Sequence, residues 1–154
     1  MQRLIHHLKY KNRPDIGVKM GQLCAHQLHG ATMYSTAHVV VPVPLHPNKQ
    51  RLRGYNQAAS FGQGLAQVLR IPHLENALQR RKNTSTQTRK SRFERSQNVS
   101  SVFEVQDMKA LEGKNIILVD DVITTGSTLV SAAEELVRIP GVRVSIVTIA
   151  FARG

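Results

Sequence analysis

Two adjacent carboxylates, Asp120 and Asp121, stand directly after the apolar run Ile116-Ile117-Leu118-Val119 and shortly before Thr124-Thr125-Gly126-Ser127-Thr128. Carboxylates accept hydrogen bonds from hydroxyls, and they also suit a hard cation such as magnesium. A turn of small hydroxyl residues around a glycine can offer several backbone N–H groups at a helix N-terminus, where an anion is favoured. Together they describe a site for a ligand with hydroxyls or a metal at one end and a phosphate at the other. A helix cap supplied by Thr125 or Ser127 is the plainer use of the turn, and the same residues can serve both ends at once.

The element that carries the two acids must be a strand. A continuous apolar run of this kind is expected where both faces of a parallel sheet are covered by helices, and ligands of such sheets bind beyond the carboxyl ends of the strands. Leu129, Ala132, Ala133, Leu136 and Val137 then give a helix, Pro140-Gly141 stops it, and residues 142–150 form a final strand. Strand, helix, strand is a βαβ unit, so the sheet around Asp120 is expected to be parallel.

Upstream, residues 38–44 form a second buried strand with proline allowed at its end. The loop expected after it, Leu45-His46-Pro47-Asn48-Lys49-Gln50-Arg51-Leu52-Arg53-Gly54, alternates basic side chains and suits a diphosphate held by backbone amides and cations. Ala58, Phe61, Leu65 and Leu69 continue as a helix in which Gly62 and Gly64 would allow close packing on the sheet. A short helix over residues 3–10 and a helix capped by Asp15 and stopped at Gly30 precede these elements. On that second helix Cys24, His26 and His29 match no metal-ligand spacing. Short strands are expected at residues 74–78 and 99–105.

Between them, residues 80–97 carry seven Lys and Arg among polar residues, without apolar periodicity. A long connection of this kind is typically a lid or binding loop, and closure over bound phosphate is the first expectation. Nucleic-acid contact is the second, although only Phe93 is there to stack on a base.

Composition sets the frame. The 154 residues suit one domain, the formal charge of +11 points to polyanionic partners, and the single cysteine excludes an internal disulfide and a cysteine-based zinc site. No stretch approaches a membrane span and the N-terminus lacks the apolar core of a signal peptide, so a cytoplasmic location is expected. Neither a Walker-type phosphate loop nor a dinucleotide-binding glycine motif is present.

The stretch from Ile117 to Thr128 resembles the phosphoribosyl-diphosphate (PRPP) motif of type I phosphoribosyltransferases. Val41-Pro42-Val43-Pro44-Leu45-His46-Pro47, Arg53-Gly54-Tyr55-Asn56-Gln57-Ala58, and Thr84, Gln87, Arg95 and Asn98 extend the likeness to the ComF/GntX family of competence proteins. Many members of that family begin with a cysteine-rich zinc-binding segment, which this sequence does not contain. The resemblance implies a single α/β domain over residues 1–154, type I phosphoribosyltransferase-like (Rossmann-like), with a mainly parallel sheet flanked by helices and a long flexible loop. Residues 1–35 would be the helical, hood-like part and residues 80–98 the loop.

It also implies roles. Asp120 and Asp121 would be the catalytic pair that holds the ribose hydroxyls, directly or through Mg2+-bound water. Thr124, Thr125, Gly126, Ser127 and Thr128 would wrap the 5-phosphate, and Leu45, His46, Pro47, Arg51 and Arg53 would take the diphosphate. Arg89, Lys90 and Arg92 would close from the flexible loop. The implied reaction transfers phosphoribosyl from PRPP to an acceptor base that the sequence does not identify. The rival expectation is a non-catalytic accessory of DNA uptake that senses PRPP or binds single-stranded DNA, or that docks on a competence helicase. Oligomeric state is left open.

Overall fold

The computed structural model describes residues 13–28, 30–81 and 102–151. Helix α1 (Pro14–Leu28) and the short α2 (Thr32–Ser35) lead into strand β1 (Val39–Pro42). Helices α3 (Pro47–Arg53) and α4 (Gln57–Leu69) follow, then β2 (Leu78–Arg80), β3 (Phe103–Val105), the short α5 (Met108–Leu111), β4 (Asn115–Ile123), α6 (Ser127–Val137) and β5 (Arg143–Phe151).

The main sheet has the order β1-β4-β5, and all its pairings are parallel. Both faces of β4 are covered, as its unbroken apolar sequence requires. Ile116 and Leu118 join Val39 and Val41 against Leu129, Ala132 and Leu136 of α6. Ile117 and Val119 join Val40 on the other face, against Phe61 and Leu65 of α4 and Ala25 of α1. Ile116, Ile117 and Leu118 are at most 1% exposed, and each such side chain contributes roughly 1.5–3 kcal/mol of burial. These contacts fix the strand end on which the acids sit.

Helix α1 crosses α4 at two glycines. A Cβ on Gly64 would overlap the Val18 carbonyl, and one on Gly21 would overlap the Phe61 carbonyl. Gly62 meets the sheet instead, where a Cβ would lie 2.9 Å from Val119 Cγ2. The expectation of glycine packing on the sheet therefore holds for Gly62, while Gly64 serves the helix crossing.

Several sequence expectations need correction. The stretch expected to be a loop after β1 contains α3, which starts at Pro47, where proline suits the first turn, and closes at Gly54 with φ 79°. The strand expected at residues 74–78 begins only at Leu78, because residues 74–77 turn away after an isolated bridge between His73 and Val40. The strand expected at 99–105 runs over Phe103–Val105, and residues 99–101 lie outside the described residues. Strands β2 and β3 form a separate antiparallel pair. Asp15 lies inside the first turn of α1, paired with Arg13 at 2.7 Å, and so is not its N-cap. The helix expected at residues 3–10, His29, and residues 82–98 of the basic loop lie outside the described residues.

Candidate functional site

The site is built where β1 and β4 end side by side. Parallel pairing sets Pro42 beside Val119, and the Val43 N–H continues the ladder by donating to the Val119 carbonyl at 2.9 Å. The next residues of each strand therefore emerge together: Val43, Pro44, Leu45 and His46 from β1, and Asp120 and Asp121 from β4. They line one cavity of about 300 Å³, with Arg53, Asn56, Gln57, Arg80 and Thr128.

Each wall has an identifiable support. Asn56 caps α4, accepting the Ala58 N–H at 3.1 Å on its side-chain oxygen. Its amide nitrogen donates to the Val43 carbonyl at 3.1 Å. His46 caps α3 by accepting the Asn48 N–H on Nδ1 at 3.3 Å. Arg53 donates from Nη1 to Gln57 Oε1 at 3.1 Å. Asp120 Oδ1 accepts the Asp121 N–H at 2.8 Å, and Asp121 Oδ1 accepts the Val122 N–H at 2.9 Å. These short local bonds fix the rotamers of both half-buried carboxylates.

Arg80, at the end of β2, donates from Nε to the Pro44 carbonyl at 3.3 Å. Its guanidinium carbon lies 5.0 Å from the centroid of the fully buried Phe103 ring. Burial pulls the Arg80 pKa down and the Asp120 carboxylate pulls it back up; an arginine stays charged throughout. Two cations, Arg53 and Arg80, thus line the same cavity as the two carboxylates.

The turn after β4 is entered at Thr124 and passes through Gly126 at φ 80°, a left-handed conformation that glycine adopts without penalty. Gly126 is the N-cap of α6, with no side-chain cap bond. Thr125 Oγ1 lies 3.1 Å from the Ser127 hydroxyl and accepts the Ser127 N–H at a long 3.4 Å, so neither residue closes the helix end as a strong cap.

Of the sequence-designated residues, Leu45, His46, Arg53, Asp120, Asp121 and Thr128 line the cavity. Thr124, Thr125, Gly126 and Ser127 adjoin it through the turn without lining it. Pro47 and Arg51 are exposed on α3, which turns them away once the expected loop becomes a helix. Arg89, Lys90 and Arg92 lie outside the described residues. Sequence reasoning did not assign Asn56, Gln57 or Arg80. Asn56 could have been found as the N-cap before Ala58, whereas nothing local in the sequence marks Arg80 among its basic neighbours.

A second cavity of about 320 Å³ shares Asn56 with the first and is lined by Gln50, Tyr55, Ser60, Gln63, His73 and Glu75 among others. Among the described residues no lysine or arginine lines it. Cys24 is half-buried on α1, and burial pushes its thiol pKa up. Among the described residues no three acidic, histidine or cysteine side chains gather as a metal site, and no helix is long and apolar enough to cross a membrane.

The phosphoribosyl transferase domain profile matches residues 56–154, and the chain belongs to that family. Its relatives carry competence and DNA-utilization names, in keeping with the resemblance to the ComF/GntX family. It is 45% identical over 91 residues to competence protein F of Haemophilus influenzae, covering 58% of this chain and 40% of that protein. It is 32% identical over 138 residues to the DNA utilization protein YhgH of Escherichia coli, covering 88% of this chain and 60% of the relative. The chain thus spans between about two fifths and three fifths of the relatives' length. In three dimensions it resembles the allosteric regulatory enzyme of purine biosynthesis (TM-score 0.64, 22% identity, 94% of this chain and 30% of that one). Adenine phosphoribosyltransferase is also similar (TM-score 0.55, 18% identity, 90% of this chain and 69% of that one). These likenesses establish the type I phosphoribosyltransferase fold.

Proposed function

We propose that the protein binds PRPP between the ends of β1 and β4 and transfers its phosphoribosyl group to a nitrogenous acceptor in the cytoplasm. The observation that carries this reading is the convergence of Asp120 and Asp121 with Arg53, Arg80 and the Leu45-His46 backbone around one cavity beside the glycine turn. In this arrangement the two carboxylates accept from the ribose 2- and 3-hydroxyls. The turn over residues 124–128 offers backbone donors to the 5-phosphate. Leu45 and His46, with Arg53, meet the diphosphate.

In the transfer, the bond between the anomeric carbon and the diphosphate oxygen breaks, a carbon–nitrogen bond forms, and the acceptor nitrogen loses its proton. The chain's own contribution is positioning and stabilising charge on the leaving diphosphate, and it needs no nucleophilic side chain. The carboxylate pair fits Mg2+, which is commonly held by one or two carboxylates together with substrate oxygens and water, and there it would neutralise charge on the ligand. Calorimetric titration with PRPP in the presence and absence of magnesium tests the binding. Diphosphate release over a panel of acceptor bases tests the transfer. Equal, negligible heats for PRPP under both conditions would remove the reading.

A second reading is supported by the competence and DNA-utilization names of the relatives and by the net charge of +11. Here PRPP is a sensed ligand, and single-stranded DNA or a helicase of the uptake machinery is the partner. Steeply salt-dependent binding of single-stranded DNA, lost when Arg89, Lys90 and Arg92 are neutralised, favours it. Diphosphate release with an acceptor favours the enzyme.

A further inference from the structure

We infer that Arg80 is a positioning residue, one that sets the direction of the first backbone donor offered to an anion by the loop after β1. The inference rests on the PRPP-binding reading for its ligand, but the geometry stands by itself.

The loop begins with Val43 and Pro44. The Val43 N–H is spent on the Val119 carbonyl, and Pro44 has no N–H. The first amide available to a ligand is therefore that of Leu45. A peptide unit is planar, and in a trans unit the carbonyl oxygen and the next N–H point in opposite directions. No described peptide bond is cis. The Pro44 carbonyl receives Arg80 Nε at 3.3 Å. Holding that oxygen holds the Pro44–Leu45 plane, and with it the line of the Leu45 N–H. Asn56 holds the preceding carbonyl, Val43, at 3.1 Å. Successive carbonyls are thus tied by two side chains from different elements, one neutral and one cationic.

Arg80 is itself held. Its guanidinium lies over the Phe103 ring, and Arg80 and Phe103 are cross-strand partners in the β2–β3 pair. Asp120 acts on it electrostatically from β4. The residue therefore joins the β2–β3 pair, the anion loop and the carboxylate pair. Substituting it alters the donor geometry at the diphosphate half of the site and leaves the turn over residues 124–128 alone.

The test uses Arg80→Met, which keeps an apolar stem over Phe103 without a donor, and Arg80→Lys, which keeps the charge without Nε. Both are expected to lose at least about tenfold in affinity for PRPP with magnesium, because the lost bond comes from a charged donor. Affinity for ribose 5-phosphate, which has no diphosphate, should fall by much less than affinity for PRPP. In the ligand-free protein the Leu45 amide resonance should shift in both variants, while those of Thr125 and Gly126 stay. Equal losses for both ligands, wild-type PRPP affinity in either variant, or an unmoved Leu45 amide would each overturn the inference. If the wild-type protein itself binds no PRPP, the proposed function falls, and the Leu45 resonance still decides whether Arg80 orients that peptide.

Discussion

The side chain of Asn56 donates to the main-chain carbonyl of Val43 at 3.1 Å while its oxygen caps α4. One buried amide therefore joins the start of a core helix to the start of the candidate anion loop. Asn56→Ala removes the cap and leaves the Val43 carbonyl without this donor. A loss of about 1–2 kcal/mol in unfolding free energy is expected by urea titration, with weaker PRPP binding beside it. An unchanged urea midpoint would show that the amide link carries no energy.

Asp120→Asn and Asp121→Asn keep the shape of each side chain and remove a charge from the cavity that Arg53 and Arg80 also line. Each should weaken PRPP binding in magnesium by about tenfold or more, equivalent to at least about 1.4 kcal/mol. Calorimetry on both variants beside the wild type gives the comparison. The backbone bonds that the carboxylates accept can be made by an amide oxygen, so the fold should tolerate either change.

The α1–α4 crossing predicts a purely structural defect. In Gly64→Ala the new methyl meets the Val18 carbonyl, which belongs to a packed helix and has little room to move. A destabilisation on the order of 1–3 kcal/mol is expected. Thermal unfolding would register it, and a midpoint equal to the wild type's would mean that α1 shifts freely.

His73 predicts a pH dependence. Its Nε2 is buried without a hydrogen-bond partner, and burial lowers its pKa while Glu75 opposes the shift. Between the folded pKa and the unfolded value of about 6.5, the unfolded chain holds more protons, so stability rises with pH across that window. It is lost as the pH falls below about 6.5. Urea midpoints measured from pH 7.5 down to pH 5 should fall more steeply for the wild type than for His73→Leu, roughly over the range where histidine titrates. Parallel profiles would remove His73 as the cause.

The sequence disclosed the fold where physical constraints were local. The unbroken apolar runs of β1 and β4 implied two covered faces, and Val39–Val41 and Ile116–Val119 do pack alternately against α6 and α4. Asp120, Asp121 and Thr128 were legible because a strand and the turn after it are contiguous in the chain. The loop after β1 was misread along part of its length, since the polar residues of α3 give no apolar stripe to mark a helix. Arg80 was illegible for another reason. Its role depends on Pro44 and Asp120, which are 36 and 40 residues away in the chain, and only the folded sheet brings those partners to it.

The register of Arg80 against Phe103 has an evolutionary consequence. Their pairing pins the two ends of the intervening chain at a fixed separation, whatever its length or composition. Closing a longer connection costs little, only about 0.6 kcal/mol for each doubling in length. Insertions and deletions between these two residues therefore cost the fold little closure entropy.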